Sequence, residues 1–535
     1  MPRIVFVCVL LAAVGQAGTA FAHASLIRSE PADRAVVALP PSMLTLIFNE
    51  PVSPLVLRLV GPSGEATELK DVVADNATVT IRLPERLRPG THLLSWRVIS
   101  ADSHPVGGAL TFSIGQPSAQ PAPPRFDSDR WVVGAVWIAK LALYIGLLLG
   151  VGGTFYARWV ALEPLSPGAG KIVAAALDCG MLGAFISVGL QGVDALGLRL
   201  SGLKQPQVWA AGLATSYGFT ATIAAGAMIV GLAALGLSPE RGRWLSLLGL
   251  IGVGAALAAS GHASAAEPQL LTRPAVFLHG VAVAFWIGAF LPLAAAMRGP
   301  KRREVELTRF SRAIPIALVV LVASGTVLAV VQLRRFDALW TTDYGLVLSG
   351  KLAAVFVLLS LAAVNRYALT SSVMEGDGIA AARLVRSITA ELLIALVALG
   401  LVATWRFTPP PRALIAAAAA PVHAHIHTDK AMADVEIEPA RANSRRITVT
   451  VLDGQFGPLP AKEVTLFLGN AAAGIESLRL PATHIEGATW RVENVSIPAV
   501  DRPWQVRVEI LINDFEKVSI EDQIDLIERT IPRRE

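Results

Sequence analysis

The chain has 535 residues, of which 53% are hydrophobic and only 16% charged, and its formal net charge is +5. Such a length exceeds one ordinary domain, and such an apolar composition excludes an average soluble protein and favours several membrane spans. The basic residues form no contiguous tract, which excludes a nucleic-acid-binding surface and nucleic acid as a partner.

The N-terminus is typical of a secretory signal peptide with the bounds 1–22. Arg3 supplies a positive start, a short apolar run follows, and an A-x-A cleavage motif ends at Ala22. Cleavage there makes His23 the first residue of the mature chain. Cys179 is then the only cysteine left, and its apolar neighbours in the sequence predict a buried packing residue.

Residues 23–115 are predicted to form an all-β domain, either a barrel or a sandwich. Short alternating apolar runs, such as those over 44–48 and 91–99, are separated by turns rich in Pro, Gly and Asp. This spacing is typical of a β-domain with several short strands. A Pro-rich segment over 116–129 follows and has the composition of an extended linker.

Three residues of this domain form a candidate metal site. As the first mature residue, His23 offers its α-amine and its imidazole, and both bind a divalent ion once deprotonated. Asp102 and His104 lie two positions apart, so in an extended segment they point to one face. Together these groups make a tetragonal set of nitrogen and oxygen ligands, which copper(II) favours. The alternative is a disordered terminus beside an ordinary surface turn.

The same domain resembles the CopC family of periplasmic copper-binding β-barrels. The resemblance is carried by HASLIRSEPADRAVV, LTLIFNEPV and LLSWRVISADSHPVGGALTF, over 23–37, 44–52 and 93–112. It implies that copper(II) is bound by the N-terminal His and by a D-x-H pair, here His23, Asp102 and His104. Ser103 stands where the family usually has Gly. Met43 is the only methionine of the domain, so the Met-rich segment that some members use for copper(I) is absent.

Residues 130–407 are predicted to form an eight-helix transmembrane bundle. The apolar stretches long enough to cross a bilayer cover 132–157, 172–198, 217–237, 244–261, 274–297, 313–333, 345–369 and 386–406. If the first span starts outside, Lys and Arg concentrate in the inner connections, as the positive-inside rule requires. We therefore expect a multi-pass protein of the bacterial inner membrane, with the lipid bilayer as a partner and both terminal domains in the periplasm.

The membrane domain resembles the CopD family of copper-resistance membrane proteins. The resemblance is carried by the eight-span layout and by SGHA, FLHGVAVAFWIGAFLPL and LSGKLAAV, over 260–263, 277–293 and 348–355. Together with the CopC-like domain in front of it, this implies a protein that handles copper at the membrane.

Polar residues inside spans are costly and mark functional sites or buried pairs. His262 and His279 are the candidate membrane copper ligands, with hydrogen-bonded helix-end histidines as the alternative. Glu391 lies in the inner half of the last span, without a charged partner that the sequence reveals. Three more charged residues fall in the outer half and are expected to form structural ion pairs: Lys140, Asp194 and Lys351.

A linker rich in Ala and His is predicted over 408–433. Its histidines alternate along the chain, so in an extended segment they share one face and are candidate metal ligands. These residues are His423, His425 and His427. An ordinary flexible linker is the alternative.

Residues 434–530 are predicted to form a periplasmic Ig-like β-sandwich. RRITVTVLD and AKEVTLFLG alternate as half-buried strands, and Trp490 and Trp504 are candidate core aromatics. The segment HIHTDKAMADVEIEP, which begins at His425, and the strand layout resemble the YtkA-like (FixH-like) domains. A second metal-binding or docking module is implied.

These features favour copper binding in the periplasm, coupled either to copper transport or to copper sequestration at the inner membrane, as part of copper resistance. The family resemblance implies that the direction of transport is uptake. The chain has no nucleotide-binding P-loop, so its own ATP hydrolysis does not drive transport. One alternative is a non-transporting copper buffer or scaffold that delivers copper to a partner, such as a periplasmic copper chaperone or cuproprotein. Another is an oxidative copper enzyme. Asp102 argues against the enzyme, because its carboxylate takes a position on copper that oxygen needs, so we expect no enzymatic activity.

Overall fold

The computed structural model describes residues 24, 26–31, 33, 35–37, 39–48, 50–100, 105–116, 118, 129–161, 164–297, 299–418, 421–428, 430–438, 444–453, 457–498 and 503–524. The predicted signal peptide (1–22) and most of the predicted linker over 116–129 lie outside these residues. So do His23, Asp102 and His104.

The N-terminal domain is a sandwich of two sheets. One sheet has the strand order β1-β3-β7-β6 and the other has the order β2-β9-β8-β4-β5. The strands are β1 (Leu26–Glu30), β2 (Ala35–Val37), β3 (Met43–Phe48), β4 (Val52–Val60), β5 (Ala66–Glu68), β6 (Val72–Asp75), β7 (Thr78–Arg82), β8 (Gly90–Ser100) and β9 (Pro105–Ile114). The predicted sandwich is confirmed, and no closed barrel forms among the described strands.

Alternating apolar residues build the core of this sandwich. Leu44, Leu46 and Phe48 of β3 are buried, while the residues between them are more exposed, as expected for a sheet with one face on the core. Trp96 of β8 packs edge-to-face on Phe48, with ring centroids 5.2 Å apart. A Cβ atom at Gly108 would lie 2.4 Å from the Trp96 ring, so the glycine that follows the D-x-H motif is required by this packing.

Eight helical segments of the described chain are long and apolar enough to cross a membrane, which agrees with the predicted spans. Span one joins α1 (Arg130–Ile145) to α2 (Gly152–Trp159) through the π-helical turn Gly146–Val151, and span two is α3 (Pro167–Leu196). After α4 (Pro206–Ala214), the next spans are α5 (Ser216–Gly236), α6 (Pro239–Ala259), α7 (Gln269–Ala296) and α8 (Pro300–Leu333).

The last two spans follow the short helix α9 (Ala338–Thr341). Span seven joins α10 (Asp343–Val364) to α11 (Thr370–Met374) through the π-helical turn Asn365–Leu369. Span eight starts with α12 (Gly378–Thr404), and the 3₁₀ turn Trp405–Phe407 and α13 (Pro411–Ala418) follow. We call the end of the bundle where α1 begins the proximal end, and the opposite end the distal end.

Local signals explain where the spans begin and end. The Asp129 side chain accepts a hydrogen bond from the Trp131 amide at the start of α1. Ser166 and Pro167 open α3, and Gly197 closes it with φ of +66°, a left-handed conformation that favours glycine. These are ordinary capping signals, so the helix limits follow from the sequence.

Glycines let the spans approach each other closely. A Cβ atom at Gly152 of α2 would lie 2.0 Å from the carbonyl oxygen of Ala284 on α7. Gly288, one turn further along α7, faces the same backbone of α2. The hydrophobic effect does not drive helices together inside a lipid bilayer, so the close van der Waals packing that small residues allow stabilises such crossings instead.

The C-terminal domain also consists of two antiparallel sheets, with the orders β10-β11-β12-β16-β15 and β14-β13-β17-β18. Its strands are β10 (Val422–His427), β11 (Ala431–Glu438), β12 (Arg445–Asp453), β13 (Glu463–Asn470), β14 (Ile475–Pro481), β15 (Thr483–Glu486), β16 (Thr489–Val495), β17 (Trp504–Asn513) and β18 (Glu516–Ile524). Trp490 and Trp504 are buried in its core, as predicted.

Two expectations need correction. The segment 408–433 is not a linker throughout, because the alanine-rich part forms α13 and the alternating VHAHIH forms the edge strand β10. Cys179 is exposed on α3 and not buried within the chain. In a membrane-spanning helix the lipid-facing surface is as apolar as the interior, so an apolar sequence does not show which side a residue faces.

Candidate functional site

The first predicted metal site belongs to the N-terminal sandwich, of which the structure describes the strands that flank two of the predicted ligands. Asp102 and His104 belong to the connection between β8 and β9, whose ends pair with Ile99 opposite Pro105. Their own placement is outside the described part of the chain. His92, near the opposite end of the β8–β9 pair, is structural, because its Nε2 bonds the Arg88 carbonyl at 2.8 Å and its ring stacks on that of Phe112.

His262 lies at the proximal end, in the connection between α6 and α7. Its backbone carbonyl accepts hydrogen bonds from Gln332 Nε2 at 2.9 Å and from the Arg412 guanidinium at 3.0 Å. Arg412 Nε also donates to Gln332 Oε1 at 3.0 Å. Contacts from α8 and α13 therefore hold this connection in place, and neither partner carried a recognisable signal in the sequence.

His279 lies inside the bundle on α7, facing α8. Its Nδ1 lies 3.2 Å from Ser324 Oγ. The Ser324 hydroxyl has one hydrogen, and its oxygen is 2.6 Å from the Val320 carbonyl, which can only accept. Ser324 therefore donates to Val320 and accepts from His279 Nδ1–H. This tautomer leaves the lone pair on Nε2, the nitrogen that can bind a metal.

The helix opposite His279 is shaped to receive the imidazole. A Cβ atom at Gly325 would lie 3.2 Å from His279 Cε1, so a larger residue would crowd the ring. The imidazole is thus oriented by a hydrogen bond on one side and a glycine on the other. Sequence reasoning selected His279 correctly as an interior residue but did not select Ser324 or Gly325, since small residues are frequent in spans.

A cavity of about 770 Å³ lies beside His279, between α7, α8, α10 and α12. Its walls are mostly apolar, and its polar lining includes His279, Lys351 and Tyr144. α8 packs on α7 and α10 packs on α12, and the cavity lies between these two pairs. His262 is not among the residues that line it, so only one of the two predicted membrane histidines reaches the cavity.

The charged residues predicted in the proximal half contact aromatic rings and an arginine. The Lys351 ammonium lies 4.9 Å from the centre of the Trp405 ring, and that ring stacks on Tyr344. The Lys140 ammonium lies 5.8 Å from the centre of the Tyr217 ring. Each of these two lysines therefore lies in cation–π contact with an aromatic ring.

Asp194 forms an ion pair with Arg406, which lies near the end of span eight. The Arg406 side chain is only 3% exposed, so its charge is largely removed from solvent. The expected ion pair is therefore present at Asp194, but with a partner that the sequence did not indicate, because the two residues are 212 positions apart. The pair ties the end of α3 to the end of span eight.

Two buried carboxylates lie towards the distal end. Glu391 of α12 is 3% exposed, and Asn365 Nδ2 donates to its Oε1 at 3.2 Å. Glu306 of α8 is fully buried and accepts from the Tyr156 hydroxyl at 2.9 Å. The sequence showed no charged partner for Glu391, and the partner that the structure provides is a neutral amide.

The alternating histidines of the C-terminal domain lie in β10, where they face β11 in register. His423 is opposite Glu436, and His425 is opposite Asp434. The strand confirms the extended backbone that the prediction assumed. The three imidazoles lie outside the described atoms, so their metal binding stays a prediction.

The described residues contain no cluster of three or more His, Cys, Asp or Glu side chains that could hold a metal ion. Of the two candidate membrane histidines, His279 lines the cavity.

Known families match two segments of the chain. Residues 26–115 match the CopC domain, and residues 304–405 match Copper resistance protein D. The second match contains Ser324, Lys351 and Glu391. The YtkA-like resemblance of the C-terminal domain stays a prediction.

Individual relatives agree with these matches. Copper transport protein CutJ of Bacillus subtilis (strain 168) is 25% identical over 541 residues, covering 94% of this chain and 95% of that protein. Copper resistance protein C of Xanthomonas campestris pv. juglandis is 33% identical over 117 residues, covering 20% of this chain and 91% of that protein. The solved structure of PcoC, a methionine rich copper resistance protein from Escherichia coli, is 30% identical, with coverage of 18% of this chain and 100% of that chain and a TM-score of 0.16.

Proposed function

We propose that this chain binds copper(II) outside the membrane and carries copper into the cell. The premise is that the chain belongs to the CopC family of copper resistance proteins and joins that domain to a CopD membrane domain. Copper handling follows from the family. The uptake direction, the inner-membrane location and the periplasmic position of both β-domains are parts of the proposal.

The first step is capture of copper(II) by the N-terminal domain. His23 supplies an amine and an imidazole, and Asp102 and His104 supply a carboxylate and a second imidazole from the connection after β8. This donor set suits copper(II). The domain has Met43 as its only methionine, in contrast to a methionine rich relative, so thioether binding of copper(I) is not part of this step.

The second step takes place in the membrane domain, and His279 is the observation that supports it. Its Nδ1–H is held by Ser324, and its Nε2 is therefore free of a proton and able to bind copper at the cavity. Lys351, on the opposite side of the same cavity, adds a positive charge that weakens cation binding there. A weak single-donor site lets an ion enter and also leave, which transport requires.

Copper uptake into cells that carry full-length variants tests this function. We expect His279→Ala to lower the initial rate of copper accumulation by about tenfold or more, because the donor at the cavity is lost. His484→Ala is the matched control, since that exposed histidine belongs to β15, outside the membrane spans, where it contacts the Gly487 carbonyl and the Trp490 ring. Equal accumulation in both variants would refute transport through this cavity, and faster copper loss from cells that express the protein would reverse the direction.

A non-transporting buffer or scaffold is the second candidate. The mostly apolar walls of the cavity favour it. In that case His279→Ala would accumulate copper like the wild type, while loss of His23 would still abolish copper delivery to a partner. We propose no enzymatic activity, and copper-loaded protein that consumed oxygen catalytically would contradict this.

A further inference from the structure

Glu391 is a buried carboxylate that the proposed copper path does not use. It lies five positions into the apolar stretch 386–406, about 8 Å from its distal start by helical rise. Asn365 Nδ2 donates to its Oε1 at 3.2 Å. Both residues are at least nine-tenths buried. A carboxylate at such a position is costly to ionise unless a cation or several donors compensate it.

No cation of the described residues forms an ion pair with Glu391. Arg366, next to Asn365, donates instead to the Ser311 carbonyl and is exposed. The other charged or titratable groups of α12 and of the elements packed on it are exposed or lie nearer the proximal end: Arg130, Lys140, Tyr144, Arg273, His279, Asp343, Tyr344, Lys351, Tyr367, Arg383, Arg386 and Arg406. Lys351, for example, is 14 residues before Asn365, which is about 21 Å along the helix.

The polar atoms around the carboxyl group of Glu391 are suited to hydrogen-bond with its protonated form. Asn365 Oδ1 and Ser387 Oγ are buried without a hydrogen-bond partner among the described residues. Ser387 lies one turn before Glu391 on the same face of α12. An ionised Glu391 accepts from the amide NH₂, whereas a protonated Glu391 can donate to the amide oxygen after the side chain of Asn365 rotates. One amide therefore serves both protonation states.

The backbone at Asn365 is also unusual. Asn365 begins the π-helical turn Asn365–Leu369, which interrupts span seven between α10 and α11. Such turns are rare and frequently mark functional sites. The turn places a polar amide inside span seven, opposite the single carboxylate of α12.

We propose that Glu391 and Asn365 form a membrane-embedded proton-binding site and that binding and release of this proton accompany copper movement. The coupling rests on the proposed transport function, whereas the proton site does not. The two carboxyl oxygens of Glu391 and the amide of Asn365 are too few ligands for a metal ion, but they are enough to bind a proton. The proton gradient across the membrane would then supply the energy that this chain does not obtain from a nucleotide.

Infrared difference spectroscopy of the full-length protein in lipid tests the proton site directly. A protonated carboxyl group has its own carbonyl stretch, which we expect to titrate in the wild type and to be lost in Glu391→Gln. Glu375→Gln, which removes an exposed carboxylate between α11 and α12, should leave the band unchanged. Asn365→Leu keeps the carboxyl group and should shift the band and its titration midpoint. A wild type without the band, or a titrating band whose intensity is unchanged in Glu391→Gln, would overturn the proposal.

Copper uptake into liposomes that contain the purified protein tests the coupling. With copper(II) chloride outside, a pH gradient should accelerate uptake by the wild type and by Glu375→Gln, and this acceleration should be lost in Glu391→Gln. Gradient-dependent uptake in Glu391→Gln would refute the coupling. A wild type that moves no copper under any gradient would refute the proposed transport function, and the infrared titration would still decide the proton site.

Discussion

Ser324 decides which nitrogen of His279 can bind a metal. Its hydroxyl hydrogen is committed to the Val320 carbonyl, so the oxygen can only accept from the imidazole. Groups that orient a metal-binding imidazole in this way typically change affinity or activity by about 10- to 100-fold when removed. The contribution of a residue that never touches the ion is therefore measurable.

We expect Ser324→Ala to lower the copper uptake rate by about tenfold, because the ring loses its orientation and its tautomer preference. The measurement is the initial rate in cells with equal amounts of protein. Ser360→Ala is the matched control, since Ser360 of α10 bonds only the Phe356 carbonyl in the described contacts. Identical rates in the two variants would exclude a positioning role for Ser324.

The α-amine of His23 is a ligand only if the chain begins there. We expect the full-length protein, processed after Ala22, to give a tetragonal copper(II) spectrum by electron spin resonance. A variant with one additional residue before His23 should lose this spectrum and bind copper(II) at least about tenfold more weakly. Unchanged copper(II) binding in the extended variant would show that the α-amine of His23 is not a ligand beside Asp102 and His104.

At the scale of elements, helix crossings in the bundle depend on single glycines. Gly152 lies against the backbone of α7, where a methyl group has no space. By contrast, a Cβ atom at Gly226 of α5 would contact nothing within 4 Å. The two positions therefore separate the packing effect of a methyl group from its effect on helix propensity.

We expect Gly152→Ala to destabilise the purified protein by about 1–3 kcal/mol, as overpacking usually does. Gly226→Ala should be neutral or slightly stabilising, because alanine favours a helix more than glycine does. Thermal unfolding in the same detergent measures both. If Gly152→Ala were as stable as Gly226→Ala, α2 and α7 would not cross at this contact.

The edge strand β10 shows that one sequence pattern fits both a β-strand and an extended linker. VHAHIH alternates like any half-buried strand, yet its position after an alanine-rich run favoured a linker. Pairing with β11 over its whole length made it part of the sheet. Only the partner strand distinguishes an edge strand from an extended linker, because both have the same backbone geometry and the same local sequence pattern.

At the scale of the whole molecule, the even number of spans places the start of the first span and the end of the last span at the proximal end. Lys and Arg concentrate in the connections of the distal end, which predicts that this end faces the cytoplasm. A reporter enzyme that is active only outside the cytoplasm checks this. We expect activity when the chain is cut after Arg412 and fused, and none when it is fused after Glu375. The opposite result would invert the topology and with it the direction of copper movement.

The sequence alone determined the elements and the family. Its apolar stretches were long enough to fix eight spans, its alternating runs fixed two β-domains, and its motifs indicated copper, because all of these signals are local in the chain. Tertiary structure decided the partnerships: His279 with Ser324, Asp194 with Arg406 and Glu391 with Asn365. Each pair joins residues of different spans, and every apolar span offers similar surfaces to its neighbours. Which polar groups meet is therefore set by how the helices pack, and no local pattern encodes it.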